Sequence, residues 1–198
     1  MVIDIIQNRA HGGKAHLVGI SLGAQIIVQI LSTTLGVVDH AVISGALVRR
    51  IPGTVILPKL LNLMFKAYMP FRNIDFLIKM NMKYNGIPSE YFEEVKRDSR
   101  LITADSINRI ITENMSFRIP ETLCRAKNPA LIIVGEKEYD IMHKSARDLN
   151  KCLQNSEAYM ASNLGHSWSL ESPELFNSVA RAWINDKPLP EEAVPLRL

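Results

Sequence analysis

One serine between two glycines constrains this chain more than any other feature. The apolar run Ala15–Val18 leads into Gly19-Ile20-Ser21-Leu22-Gly23, and a helical pattern follows at once. A strand, sharp turn and helix in this order lift a serine hydroxyl above the sheet edge on a strained backbone. Gly19 and Gly23 face each other across the turn, where side chains would clash. We therefore predict Ser21 as a nucleophile and the amide of Leu22 as an oxyanion donor. The alternative is a small-residue turn that only packs well.

Composition narrows the class of protein. The chain has 198 residues, of which 47% are hydrophobic and 22% charged, so we expect one globular domain. The net charge is only +3 and the basic residues are scattered, which argues against a nucleic-acid partner. Cys124 and Cys152 match no metal-binding or redox spacing, so we predict reduced thiols in a cytoplasmic protein, with no metal and no cofactor.

Neither the N-terminus nor the most apolar stretch of the chain predicts membrane insertion. Asp4 interrupts the N-terminus before any long apolar run, so no signal peptide is expected. The segment 55–71 is broken by Pro58, Lys59, Lys66 and Pro70. It is therefore too interrupted to cross a bilayer, and we expect no membrane partner.

Alternating strand and helix patterns predict an α/β fold with a mostly parallel sheet and helices on both faces. Strands are expected at 15–18, 37–45, 128–135 and 156–160, with helices at 2–9, 24–31, 145–153 and 173–184. Four short amphipathic helices, at 57–68, 74–82, 89–97 and 103–115, predict a helical cap inserted over 46–124. The core is then 1–45 and 125–198. The tail from Asp186 holds three prolines, and we expect it to lie along the surface.

Ser21 needs a base to take its proton and a carboxylate to orient that base. In this kind of fold the chain order is serine, acid, histidine. Five histidines compete. His11 lies in a Gly-rich connecting turn, His16 at the entry end of a strand, His40 inside a strand and His143 near a helix start. His166 alone follows the last predicted strand in a Gly-containing loop, so we predict it as the base.

Three acids follow the buried strand that ends at Gly135. Glu138 is our first choice for the triad acid, Asp140 the second and Glu136 the third. A glutamate reaches further than an aspartate, so each choice needs a slightly different loop geometry. The sequence leaves Glu138 and Asp140 both open.

These motifs resemble the α/β-hydrolase superfamily, in its capped serine esterase and C–C hydrolase branch. The matching segments are Val18 to Gly23, Leu131 to Glu138, and Gly165 to Trp168 followed by Glu171 to Phe176. The family more often has Asp where Glu138 stands. Members also have several strands and a His-Gly oxyanion loop before the elbow. The resemblance therefore implies a fold without its N-terminal strands, in which the strand before Ser21 becomes an exposed hydrophobic edge.

Together these features predict a serine hydrolase acting on a small, largely apolar ester or related acyl substrate. One alternative is a truncated, non-catalytic relative that acts as an interaction module, forming a homo-oligomer through the exposed sheet edge. A second is an acyltransferase, because an alcohol or thiol can intercept the same acyl-enzyme.

Overall fold

The apolar runs predicted as strands lie side by side in one sheet. In the computed structural model, which describes residues 1–34, 36–50 and 57–197, four strands are parallel neighbours in chain order. They are β1 (Ala15–Ile20), β2 (Val38–Ser44), β3 (Ala130–Gly135) and β4 (Ser156–Ala161). A fifth strand, β5 (Ala193–Pro195), pairs antiparallel with β4. The predicted α/β architecture with a mostly parallel sheet is confirmed.

Helices separate the strands along the chain. They are α1 (Val2–Arg9), α2 (Leu22–Thr33), α3 (Leu57–Tyr68), α4 (Asp75–Tyr84), α5 (Phe92–Ser99), α6 (Ala104–Ser116), α7 (Asp140–Cys152), α8 (Trp168–Glu171) and α9 (Pro173–Ile184). The helix predicted from Ser145 begins five residues earlier, at Asp140, in the acidic segment that we expected to be loop.

Strand β3 divides the core into two layers. Its six residues are all buried, and successive side chains point to opposite faces of the sheet. Ile132 and Val134 pack in the cluster that includes α2 and α7, whereas Leu131 and Ile133 pack with Trp168 and α9. A strand covered on both faces explains why β3 reads as one continuous apolar run.

The chain divides into two compact units. The first comprises 1–49 and 117–198 and contains the whole sheet, and the second comprises 50–116 and contains α3 to α6. We call them the sheet unit and the helical unit. No helix in the described ranges is long and apolar enough to cross a membrane, and the predicted apolar segment 55–71 begins outside those ranges.

The tail does not simply follow the surface as we predicted. Residues 193–195 form β5, and Ala193 and Leu196 are buried. The strand has only three residues, which is too short for an alternating pattern to mark it in the sequence.

The prediction of reduced cysteines was wrong. Cys124 and Cys152 form a disulfide, with Cα atoms 4.6 Å apart. Spacing rules detect local metal and redox motifs, but these residues are 28 positions apart and meet only through the fold. The bond ties the short turn Glu121–Arg125 to the C-terminal end of α7.

The elbow depends on one of its two glycines. A Cβ atom on Gly19 would lie 2.6 Å from the backbone carbonyl of Gly23 and 2.8 Å from Ile27 Cδ1. On Gly23, by contrast, a Cβ atom would meet nothing within 4 Å. Our expectation that both positions exclude a side chain therefore holds only for Gly19.

We predict that Gly19→Ala lowers the free energy of unfolding by about 1–3 kcal/mol, because the added methyl group forces β1 and α2 apart. Gly23→Ala is the matched control. It should be neutral or stabilising by up to about 1 kcal/mol, because alanine is the better helix former. Urea unfolding followed by circular dichroism measures both. Equal losses in the two variants would contradict this account of the turn.

We also predict that reduction destabilises the chain. Releasing a cross-link between residues 28 apart lowers the free energy of unfolding by about 3–4 kcal/mol on the chain-entropy estimate. Urea unfolding with and without dithiothreitol measures the difference. A Cys124→Ala/Cys152→Ala variant should unfold identically in both conditions. If the urea midpoint of the wild type is the same with and without dithiothreitol, the disulfide is not formed or does not stabilise the fold.

Candidate active site

Ser21 is the single residue between β1 and α2, and it has an unusual backbone conformation. Its φ and ψ angles are 54° and −114°, a combination that is costly for a residue with a side chain. Neighbouring structure holds it there. Its amide donates to the Ser44 carbonyl at 2.8 Å, and its own carbonyl accepts from the Gln25 amide at 3.1 Å. Among the described residues, the Ser21 hydroxyl has no hydrogen-bond partner.

The N-terminus of α2 adds donors beside the serine. Leu22 is the first residue of the helix, so its amide belongs to the turn that has no acceptor within the helix. The helix dipole gives this end a partial positive charge. Six residues on the inner side of α2 are buried, and buried Gln25 donates to the Leu47 carbonyl at 2.7 Å. The donor is thus fixed by the packing of the whole helix.

The end of β2 lies between the serine and the histidine loop. Ser44, whose carbonyl binds Ser21, also accepts a hydrogen bond from Trp168 Nε1 at 2.9 Å. Gly45 follows with a φ of 59°. A Cβ atom there would lie 3.0 Å from His166 Cε1 and 3.4 Å from Glu138 Oε1. Ser21 and His166 therefore flank the same two residues, Ser44 and Gly45.

His166 and Glu138 are joined directly. His166 Nδ1 lies 2.6 Å from Glu138 Oε2, while Glu138 Oε1 accepts from the Gly135 amide at 2.9 Å. The Glu138 side chain is only 3% exposed, so both partners are needed to offset the cost of burying a carboxylate. With Nδ1 committed to Glu138, Nε2 is the ring nitrogen left to exchange a proton.

The pKa of the His166 imidazole is raised above its ordinary value of 6.5. The main cause is the hydrogen bond to Glu138, and the negative charge of that carboxylate adds to it. Partial burial of the ring opposes the rise because it disfavours the charged form.

Backbone contacts hold the acid and histidine loops together. A Cβ atom on Gly135 would lie 2.2 Å from the Gly165 carbonyl oxygen, so only glycine allows this approach. The Lys137 amide also donates to the Leu164 carbonyl at 2.9 Å. Two residues beyond the histidine, fully buried Trp168 anchors the loop, with its ring 4.9 Å from that of Phe176.

The three acids after β3 have different partners. Glu138 contacts His166, as described. Glu136 Oε2 accepts from the Asn163 amide at 2.7 Å and so braces the histidine loop. Asp140 lies in the first turn of α7 and pairs with Lys144 at 2.6 Å, which lowers the pKa of Asp140. The structure therefore brings Glu138, and not Asp140, to His166.

The other four histidines lie elsewhere. His11 is in the short turn between α1 and β1, and His143 is in α7. The rings of His16 and His40 lie 5.1 Å apart on β1 and β2, and His40 Nε2 is 3.3 Å from Asp186 Oδ1.

Sequence reasoning did not single out Ser44 and Gly45. Both lie where the serine and the histidine loop meet. The available signal was a Ser-Gly pair at the end of a predicted strand, which is too common to interpret without knowing the neighbouring strands.

Solved structures share this architecture. The α/β-hydrolase enzyme MGS-M2, from a Medee basin deep-sea metagenome library, matches at a TM-score of 0.68 and 19% identity, over 95% of this chain and 72% of that one. MenH from S. aureus matches at 0.68 and 15% identity, over 93% and 73%. CarC, a serine hydrolase involved in carbazole degradation, matches at 0.62 and 17% identity, over 94% and 69%.

These likenesses confirm the predicted fold: the chain has the α/β-hydrolase fold. It spans 69–73% of the length of the three structures named. No family model matches the sequence, and no curated protein matches it at a significant level.

The His166–Glu138 pair gives a pH prediction. His166 should titrate above pH 6.5 in the wild type and at a lower pH in Glu138→Gln, which removes the negative charge. The pair stabilises the fold fully below pH 6.5, and this contribution is lost as the pH rises through the folded pKa. Glu138→Gln should therefore cost more stability near about pH 6 than near about pH 8.5.

Imidazole NMR signals and urea unfolding at the two pH values measure these effects. The signals of His11 serve as the internal reference, because His11 lies in an exposed turn outside the His166–Glu138 pair. An unchanged His166 midpoint in Glu138→Gln would show that the carboxylate does not control this ring.

Proposed function

We propose that this protein is a serine hydrolase that cleaves a small, largely apolar ester or related acyl compound through an acyl-enzyme. The observation that carries the proposal is that Ser21 and His166 both lie next to Ser44 and Gly45, at the end of β2. Ser21, with its strained backbone, is hydrogen-bonded to Ser44 at this strand end. His166, whose Nδ1 is bound to the buried Glu138, lies against Gly45.

Each group has a role that follows from its chemistry. His166 Nε2 takes the Ser21 proton as Oγ attacks the acyl carbon, and Glu138 stabilises the imidazolium that forms. The Leu22 amide donates to the developing oxyanion. His166 then returns the proton to the leaving group, and a water molecule activated in the same way releases the acid.

Two further points support the proposal. The structures that this chain resembles include thermophilic esterases and the serine hydrolase involved in carbazole degradation, although their identities of 13–19% are too low to transfer a substrate. Asp140 is already engaged by Lys144, which favours Glu138 as the acid. The cap role predicted for the helical insertion belongs to the same proposal.

A fluorophosphonate probe should label Ser21, because it reacts far faster with a serine activated by a base than with an ordinary hydroxyl. Ser21→Ala should abolish labelling, and His166→Ala should reduce it strongly. The site of labelling is identified by mass spectrometry of the peptide containing Ser21. Absence of labelling in the folded wild type, or labelling that survives in Ser21→Ala, would favour the non-catalytic alternative.

The two acids provide a matched pair for the same assay. Glu138→Gln should slow labelling by roughly 10²–10⁴-fold, since it removes the charge that orients and stabilises His166. Asp140→Asn should change the rate less than about twofold, because Asp140 contacts Lys144 and not the histidine. A large loss of labelling rate in Asp140→Asn with little change in Glu138→Gln would assign the role of the acid to Asp140.

A further inference from the structure

The helical unit contains a cavity of its own. It has a volume of about 520 Å³, and α3, α4, α5 and α6 all contribute to its wall. This volume lies within the range of pockets that bind small molecules. The wall is mainly apolar, with Phe65, Met69, Ile78, Val95 and Ile107 among the residues that form it.

Apolar side chains at this cavity are unusually open to solvent. Met64 is 57% exposed and Ile102 is 40% exposed, although both line the cavity. In the described part of the helical unit, only Ile78 and Met82 are buried hydrophobic residues. Exposed apolar walls around a concave site mark a place where a ligand gains by covering them.

One cation in the wall has unused hydrogen-bonding capacity. Arg72 Nη1 donates to the Met69 carbonyl at 2.7 Å, whereas Nε is shielded from water and has no hydrogen-bond partner. Among the described residues, no carboxylate forms an ion pair with Arg72. With Nη1 engaged, the free edge of the guanidinium is the one formed by Nε and Nη2, which is suited to bind a carboxylate in two-point fashion.

The other charged residue of the wall, Asp98, forms its ion pair with Arg97 and not with Arg72. Asp98 Oδ1 accepts from Arg97 Nε at 3.0 Å, so this carboxylate already has a cationic partner. The remaining polar wall residues, Asn81 and Ser99, carry no charge. The cavity therefore combines an apolar wall with one guanidinium that forms no ion pair with any described carboxylate.

We propose that this cavity binds an amphipathic monocarboxylate. Its aliphatic chain covers the apolar wall formed by Phe65, Met69 and Ile107, and its carboxylate binds the Nε–Nη2 edge of Arg72. Nε is shielded from water in the structure, so binding through this edge requires the Arg72 side chain to rotate until Nε reaches the cavity surface. The inference does not depend on Ser21 chemistry, since it concerns binding within the helical unit alone.

Isothermal titration calorimetry with decanoate and decanol, both below their aggregation limits, tests the proposal on the full chain. We expect the wild type to bind one decanoate and to bind decanol at least tenfold more weakly. Arg72→Met should weaken decanoate binding at least tenfold and leave decanol binding unchanged. Arg109→Met is the matched control, because Arg109 is exposed on α6 and does not line the cavity. It should bind decanoate as the wild type does, and so should Ser21→Ala.

Several outcomes would overturn the proposal. Folded wild type that shows no saturable decanoate binding would leave the apolar wall to another occupant, such as a protein partner. Equal affinities for decanoate and decanol, or an Arg72→Met variant that binds decanoate normally, would remove the role of the guanidinium. If Arg72→Met fails to fold by circular dichroism, the wild-type comparison of decanoate with decanol decides the question. Loss of fluorophosphonate labelling would affect the hydrolase proposal and leave this one intact.

Discussion

The buried carboxylate of Glu138 is the constraint on which the rest of the site depends. A charged group with 3% exposure is stable only where its oxygens are bound, and each oxygen has a separate partner here. Oε1 is held by the Gly135 amide at the end of β3, and Oε2 by His166 in the loop after β4. One side chain thereby fixes the distance between two loops from neighbouring strands. The close contact of Gly135 with Gly165 makes this distance short enough for the hydrogen bond.

Ser21 is also held in place by a buried polar residue, Ser44. The Ser44 carbonyl holds the Ser21 amide, and the Ser44 hydroxyl binds the indole of Trp168, which anchors the histidine loop. A single buried residue at the end of β2 is thus hydrogen-bonded to the elbow and to the histidine loop. Stability and site geometry depend here on the same contacts, because these polar groups need partners wherever the sheet excludes water.

Much of this could be predicted from the sequence, because it rests on local patterns. The amphipathic α9 has a helical period. The runs that form β1 and β3 are short and bounded by turn residues, which is typical of buried strands. The choice between Glu138 and Asp140 could not be made, since it depends on a turn and on a helix that begins at Asp140 itself. The Cys124–Cys152 bond and Gly45 were missed for a related reason. Each of them contacts residues that are distant in the chain, and a local sequence pattern does not reveal such contacts.

The two edges of the sheet differ in a way that bears on assembly. The outer strand on one side, β5, has only three residues and ends in a proline, so it offers a poor template for another strand. The outer strand on the other side, β1, has six residues, and Val18 is 42% exposed. The strand best able to accept a neighbour is therefore β1, which ends at Ile20, directly before Ser21. Any chain segment that pairs with β1 would form backbone hydrogen bonds to the strand that leads into the Ser21 turn.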